Sequence, residues 1–302
     1  MKFQAAASVF FVVASGALVK RQSSCSSPSV RQEWRSLSSE EKSSYIDSVK
    51  CLKTVPSRLS DSSSDSLWDD FSYVHRQLDL SVHFVAVFLP WHRWFVQLYE
   101  NALRDDCGYN GTAVYWDWTL DYEDPALSPV FDVEAGFGGN GDNNTGCVTD
   151  GPFAGYNVST PDDHCLQRVF NMSVLTEYAA PSIVNHTLAV QGYSLFRPAL
   201  ENNPHRGAHG AIAGDMLLNY SPNDPIFYLH HCNVDRLWWQ WQTADIAARQ
   251  TEYGGNRYQD DVATDATLYD DVPMVSGFVD ESLVVSDIMW TQSGPFCYTY
   301  QD

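Results

Sequence analysis

The chain has 302 residues, enough for one large or two small domains with a full core. It sets 18 Lys and Arg against 38 Asp and Glu, a formal charge of -20. Such a surface repels phosphate backbones and anionic lipid, which argues against nucleic acid or a membrane as partner and leaves solubility in an acidic exterior as the simple reading.

Residues 1–17 place Lys2 before an apolar run at 9–13 and small residues at Ala14, Gly16 and Ala17, the pattern of a secretory signal. The run is too short and too lightly apolar for a lasting membrane anchor. Lys20-Arg21 then reads as a dibasic processing site, so residues 1–21 are expected to be a removable leader and 22–302 one domain. Secretion is supported separately by six Asn-x-Ser/Thr sequons, at Asn110, Asn143, Asn157, Asn171, Asn185 and Asn219, which make N-glycans an expected modification. In an oxidising compartment the seven cysteines are disulfide material, and the odd number leaves one thiol free. Cys232 is the expected free thiol, because it adjoins a histidine cluster on a buried helix where a small apolar side chain suits packing. Connectivity is not readable from spacing; the working pairing is Cys51 with Cys107, Cys147 with Cys165 and Cys25 with Cys297.

Further along, Ser38 and Glu41 form a capping box, and Tyr45, Ile46, Val49 and Leu52 share one helical face. After a serine-rich segment at 57–66, Leu67, Trp68, Phe71, Val74 and His75 repeat the helical period, with His75 on the buried face. Residues 77–89 are expected to be non-helical at first, and Pro90 to open the next helix, which runs to about Leu103. His83 and His92 are nine residues apart and would point roughly 180° apart on one continuous helix, so they can meet only if His83 lies in the loop before Pro90. Residues 113–120 read as a short extended piece, and 123–161, rich in Gly, Asn, Asp and Pro, as a long disulfide-braced loop. A helix starting after Pro204 puts His205 and His209 on one side, and Asp224-Pro225 opens another. On that last helix His230 and His231 are about 100° apart, so only one faces a metal easily; the stripe of Phe227, His231, Asp235 and Trp238 favours His231. Residues 250–302 are loop and short strand.

Two histidine trios therefore sit in apolar, aromatic surroundings: His75, His83 and His92, then His205, His209 and His231. Buried imidazole nitrogens must find partners, and a metal ion is the most economical one. Six neutral imidazoles without a matching carboxylate suit copper, which also leads the divalent affinity order; zinc hydrolases and di-iron sites usually add Asp or Glu. Two coppers with three imidazoles each can use O2 and pass electrons two at a time.

At these residues the resemblance is specific. Phe84-Val-Ala-Val-Phe-Leu-Pro-Trp-His-Arg-Trp-Phe, with His75 and His83 upstream, resembles the first copper signature of the tyrosinase and catechol oxidase family. Asp224-Pro-Ile-Phe-Tyr-Leu-His-His-Cys-Asn-Val-Asp-Arg-Leu-Trp, with His205 and His209 upstream, resembles the second. The likeness covers roughly residues 31–300 and is greatest to the short, secreted fungal polyphenol oxidases. It implies a mainly α fold in which a four-helix bundle holds a dinuclear type 3 copper site, with long loops and few short strands. It also implies two copper ions, O2 as co-substrate, and oxidation of o-diphenols to o-quinones, with small phenols as partners.

The resemblance further implies Glu201 as a water-holder or base for the phenol proton, against the simpler reading of a first-turn carboxylate complementing a helix dipole. Arg206 stands where several strong monophenol hydroxylases have asparagine, which lowers the expected monophenolase activity. Phe227 would pack below the second copper and Leu218 could gate it, although ordinary core is the preferred reading of Leu218. Ser81 replaces a cysteine that many fungal relatives link to the second ligand, so His83 is expected to be unmodified. Tyr298-Thr-Tyr300 resembles the tyrosine motif closing the catalytic core, paired with Arg31 or Arg35; two residues follow it, so no C-terminal shielding domain is expected and the enzyme should be active once loaded with copper. His164 and His186 read as surface residues, His230 as a donor behind the ligands, Asp235 as structural, and Trp91, Trp94, Trp238, Trp239 and Trp241 as bundle core. The alternatives are a tyrosinase proper, an o-aminophenol oxidase, or a hemocyanin-like O2-binding protein without turnover.

Overall fold

In the computed structural model, residues 25–59, 64–279 and 281–301 are described; the expected leader lies outside them. The capping box opens α1 (Ser39–Leu52): the Ser38 hydroxyl accepts from the Glu41 N–H, and the Glu41 carboxylate from the Ser38 N–H. Tyr45, Ile46, Val49 and Leu52 are buried as their spacing requires. Helix α2 (Leu67–Val82) starts at a Ser66 cap and runs further than expected, through residues 77–82. Pro90 restrains only the residue directly before it, so the helix continues until His83 turns extended at φ -110, ψ 147. Helix α3 (Phe88–Cys107) likewise begins two residues ahead of Pro90. A proline third in the helix removes an N–H that had no intrahelical acceptor in any case.

Three short helices follow the long loop: α4 (Met172–Ala179), α5 (Pro181–Leu188) and α6 (Tyr193–Leu200). Instead of a fresh helix after Pro204, a π turn (Glu201–His205) carries α6 straight into α7 (Arg206–Ile212). The wider turn accommodates a proline that can neither donate nor pack in a regular α turn, and it leaves Glu201 in mid-helix rather than in a first turn. Helix α8 (Ile226–Thr243) starts where the Asp224 carboxylate accepts the Ile226 N–H at 3.0 Å, and α9 (Ile246–Arg249) follows. The histidines ride on four rods: α2, α3, the α6–α7 rod and α8. Helices α3 and α8 are joined by Tyr99 stacked on Tyr228, ring centres 3.5 Å apart.

Among the described residues the strands form three two-stranded pairs: β1 (Ser29–Arg31) with β6 (Tyr298–Tyr300), β2 (Asn157–Val158) with β3 (His164–Cys165), and β4 (Asn256–Tyr258) with β5 (Asp261–Asp265). Residues 113–120 are not the strand expected. Tyr115 makes one bridge to Glu33, then Asp117 caps the Thr119 N–H and turns the chain into a 3-10 coil. The disulfides are Cys25–Cys297, Cys51–Cys107 and Cys147–Cys165, and Cys232 is free and buried, as expected. No helix among the described residues is long and apolar enough to cross a membrane.

Behind the α3–α8 pair, Asp235 is the hub of a buried polar network. It accepts Arg93 Nε at 2.5 Å, the Tyr298 hydroxyl at 2.6 Å and the Tyr300 hydroxyl at 2.5 Å. Arg31 lies 3.5 Å over the Tyr298 ring and pairs with Glu100 at 2.8 Å, so Arg31, not Arg35, is the arginine that meets the tyrosine motif. Arg35 pairs nearer the surface with Glu33 and Asp121. Trp91, Trp94, Trp238 and Trp241 are core, with Trp239 packed partly buried against it. Removing one member of a buried charge network strands its partners, so Asp235→Ala should cost about 3–5 kcal/mol, against about 1 kcal/mol for Tyr298→Phe. Urea unfolding at fixed copper loading checks this; equal losses would contradict it.

Candidate metal centre

The first trio converges from three positions. His75 comes from the buried face of α2, His83 from the residue ending α2, and His92 from the second turn of α3. Their ring centres are 4.9 Å (His75–His83), 5.0 Å (His83–His92) and 5.6 Å (His75–His92) apart. Each Nδ1 is tied to a backbone carbonyl: His75 to Asn219 at 2.7 Å, His83 to Asp79 at 3.0 Å, His92 to Phe88 at 2.9 Å. The Asp79 carboxylate adds a second contact to His83 Nδ1 at 2.9 Å. A carbonyl can only accept, so each Nδ1 carries the proton and each Nε2 presents a lone pair to the others.

The second group repeats the device. His205 Nδ1 bonds the Glu201 carbonyl at 3.0 Å, and His209 Nδ1 bonds the Met216 carbonyl. His209 Nε2 faces His231 Nε2 at 3.3 Å. The His231 ring is held by packing instead, 4.2 Å from Phe227 and stacked 4.3 Å from His92 of the first trio. A fourth imidazole, His230, also falls within ligand distance of this group. The Trp118 indole donates to His230 Nδ1 at 3.0 Å. An indole N–H cannot accept, so neutral His230 keeps its own proton on Nε2, which has no partner among the described residues. An N–H offers no lone pair to a metal.

Burial disfavours charged imidazole, pushing His75 down to about 3 and His209 to about 4, with His92, His205 and His231 also lowered. Neutral rings are the metal-binding form. Each group is made of imidazoles alone, a donor set that fits copper.

A cavity of about 460 Å³ opens onto His75, His83, His205 and His209. Glu201 lines it at 2% exposure with both oxygens engaged: Oε1 accepts the Phe84 N–H at 2.6 Å and Oε2 accepts Arg197 Nη1 at 2.5 Å. Burial raises its pKa, against the opposing pull of Arg197. Arg206 is exposed on the same wall. Leu218 is not core: it is 46% exposed at the cavity rim, beside Leu217, because the 3-10 turn that delivers the Met216 carbonyl to His209 turns the next two side chains outward. Phe227 is fully buried under His231 and His75.

Sequence reasoning missed Asp79, Phe84 and Trp118. Asp79 stands four residues before His83, a visible signal had α2 been extended to its true end; Phe84 and Trp118 matter through backbone conformation and a contact between residues 112 apart in sequence, which no local pattern encodes. His164 is not a plain surface residue, since β3 sets its Nε2 2.8 Å from buried Asp215. His186 is exposed as expected.

A sequence model of the common central domain of tyrosinase matches residues 65–244, which include all six trio histidines. The chain is 40% identical over 294 residues to Tyrosinase ustQ of Aspergillus flavus, covering 91% of this chain and 80% of that protein. A variant polyphenol oxidase from Thermothelomyces thermophila superposes with a TM-score of 0.84 at 31% identity, covering 91% of this chain and 89% of that one. Deoxygenated hemocyanin from Rapana thomasiana shares the fold alone, with a TM-score of 0.55 and 24% identity over 74% of this chain and 58% of that one. A match that spans both histidine clusters and relatives alike along nine-tenths of its length place this chain in the tyrosinase family of copper oxidases.

Proposed function

We propose that the chain is a secreted dicopper polyphenol oxidase that uses O2 to oxidise o-diphenols to o-quinones. His75, His83 and His92 hold one copper; His205, His209 and His231 hold the other. The observation that carries this reading is the stacking of His92 on His231 at 4.3 Å, which makes the two triads neighbours across a shared wall. Bound copper would supply the two-electron exchange with O2 that phenol oxidation needs.

The protein's own part is positional. Backbone carbonyls fix the ring tautomers, burial keeps the rings neutral, and the open cavity admits a phenol. That opening favours a substrate-consuming enzyme over an oxygen carrier. Glu201 keeps a lone pair on each oxygen, enough to orient a water. Arg206 lines the entrance and helps select the substrate. Three disulfides and six exposed sequon asparagines support secretion and N-glycosylation.

Oxygen uptake by the copper-loaded protein tests the activity. The catechol should be consumed at least about tenfold faster than the corresponding monophenol, and an o-aminophenol run alongside measures the neighbouring activity. No uptake with catechols would defeat the proposal. The ligand assignment has its own check, metal analysis after gel filtration: His231→Ala should retain one copper per chain and His230→Ala two. The reverse result would make His230 the ligand.

A further inference from the structure

Phe84, directly after His83, has a left-handed backbone at φ 57. Bulky residues rarely adopt this conformation, and it persists only where the surroundings over-determine it. Here a closed circuit does so. The Phe84 N–H donates to Glu201 Oε1 at 2.6 Å, and Arg197 Nη1 donates to Glu201 Oε2 at 2.5 Å. Arg197 Nη2 donates to Asn256 Oδ1 at 3.2 Å, and Asn256 Nδ2 returns to the Phe84 carbonyl at 2.8 Å. Three polar side chains, two of them charged, thus grip one strained peptide unit.

The gripped residue does nothing for the core. Its side chain is 56% exposed and lines the cavity beside the ligands, where Leu217 at 58% and Leu218 at 46% are exposed too. A large apolar group held in water at a pocket mouth loses free energy until something apolar covers it. The cavity is larger than a single phenol ring needs, so its mouth has room for a substituent.

We infer that Phe84 is a specificity-determining residue, whose ring forms with Leu217 and Leu218 an apolar collar for the substituent opposite the reacting hydroxyls. The preferred substrates are then o-diphenols carrying an apolar or aromatic group, over bare catechol. Glu201 is a positioning residue for that collar. This inference rests on the phenol oxidase reading.

The test is the ratio of kcat/KM for 4-tert-butylcatechol to that for catechol, measured on copper-loaded wild type, Phe84→Ala, Phe84→Leu and Phe84→Tyr. Phe84→Ala should lower the ratio by about five- to twentyfold, Phe84→Leu by less, and Phe84→Tyr should restore it. A merely structural role would depress both substrates together, so an unchanged ratio in Phe84→Ala overturns the collar. A variant-free arm uses calorimetry on the loaded wild type with 4-tert-butylresorcinol and resorcinol, whose separated hydroxyls cannot form an o-quinone. The butyl compound should bind at least about fivefold tighter; equal binding overturns the collar, whereas failure to oxidise either catechol overturns the oxidase reading beneath it.

Discussion

A buried imidazole must be neutral and must hand its spare N–H to an acceptor, and this site is built on how that demand is met. Three of the acceptors are the carbonyls four residues back along the chain: Asp79 for His83, Phe88 for His92 and Glu201 for His205. Helix geometry supplies them without further side chains. The other two, Asn219 for His75 and Met216 for His209, come from the single connection between α7 and α8. That connection touches both triads at once, so the spacing between the metal positions is tied to one short stretch of backbone.

Among the six trio histidines His231 is the exception, and it lies at the junction of the two triads. Without a carbonyl on Nδ1, its ring is fixed by Phe227 on one contact and His92 on another. Packing of α8 on α3 therefore sets the position of the His231 ring, and a buried charge network stands directly behind those helices. Arg93 on α3 and Asp235 on α8 bind each other at 2.5 Å, one residue beyond His92 and four beyond His231. The network draws in β6 and Arg31 of β1, and Cys25–Cys297 closes the chain beside them. Stability of the scaffold and placement of the two histidine clusters are the same problem here.

Much of this was legible in residues that act locally or through spacing. The capping box at Ser38 and Glu41, the buried faces of α1 and α2, the displacement of His83 from its helix and the two trios follow from periodicity and imidazole chemistry. What the sequence hid depends on competition between elements. The extension of α2 past Gln77 escapes a reading in which Pro90 disfavours helix well ahead of itself, whereas it restrains only the residue before it. The π turn at Glu201 is invisible for a similar reason: Pro204 reads as a helix start, and only the continuity of the rod shows that the turn widened instead. The stripe of Phe227, His231, Asp235 and Trp238 favours His231 over His230 from spacing alone, but the Trp118 contact that sets the His230 tautomer comes from 112 residues away and has no local signal. Leu218 looked like core because leucine usually is, and its exposure follows from a carbonyl needed by His209.

The claim on which the account stands is that the two triads hold adjacent copper ions, close enough to share one oxygen molecule when reduced. Electron paramagnetic resonance of the oxidised protein, calibrated against total copper, tests it most directly. Two ions bridged at close range pair their spins, so the account predicts two coppers per chain and almost no cupric signal. A signal integrating to two independent spins would show the ions isolated from one another and would contradict it.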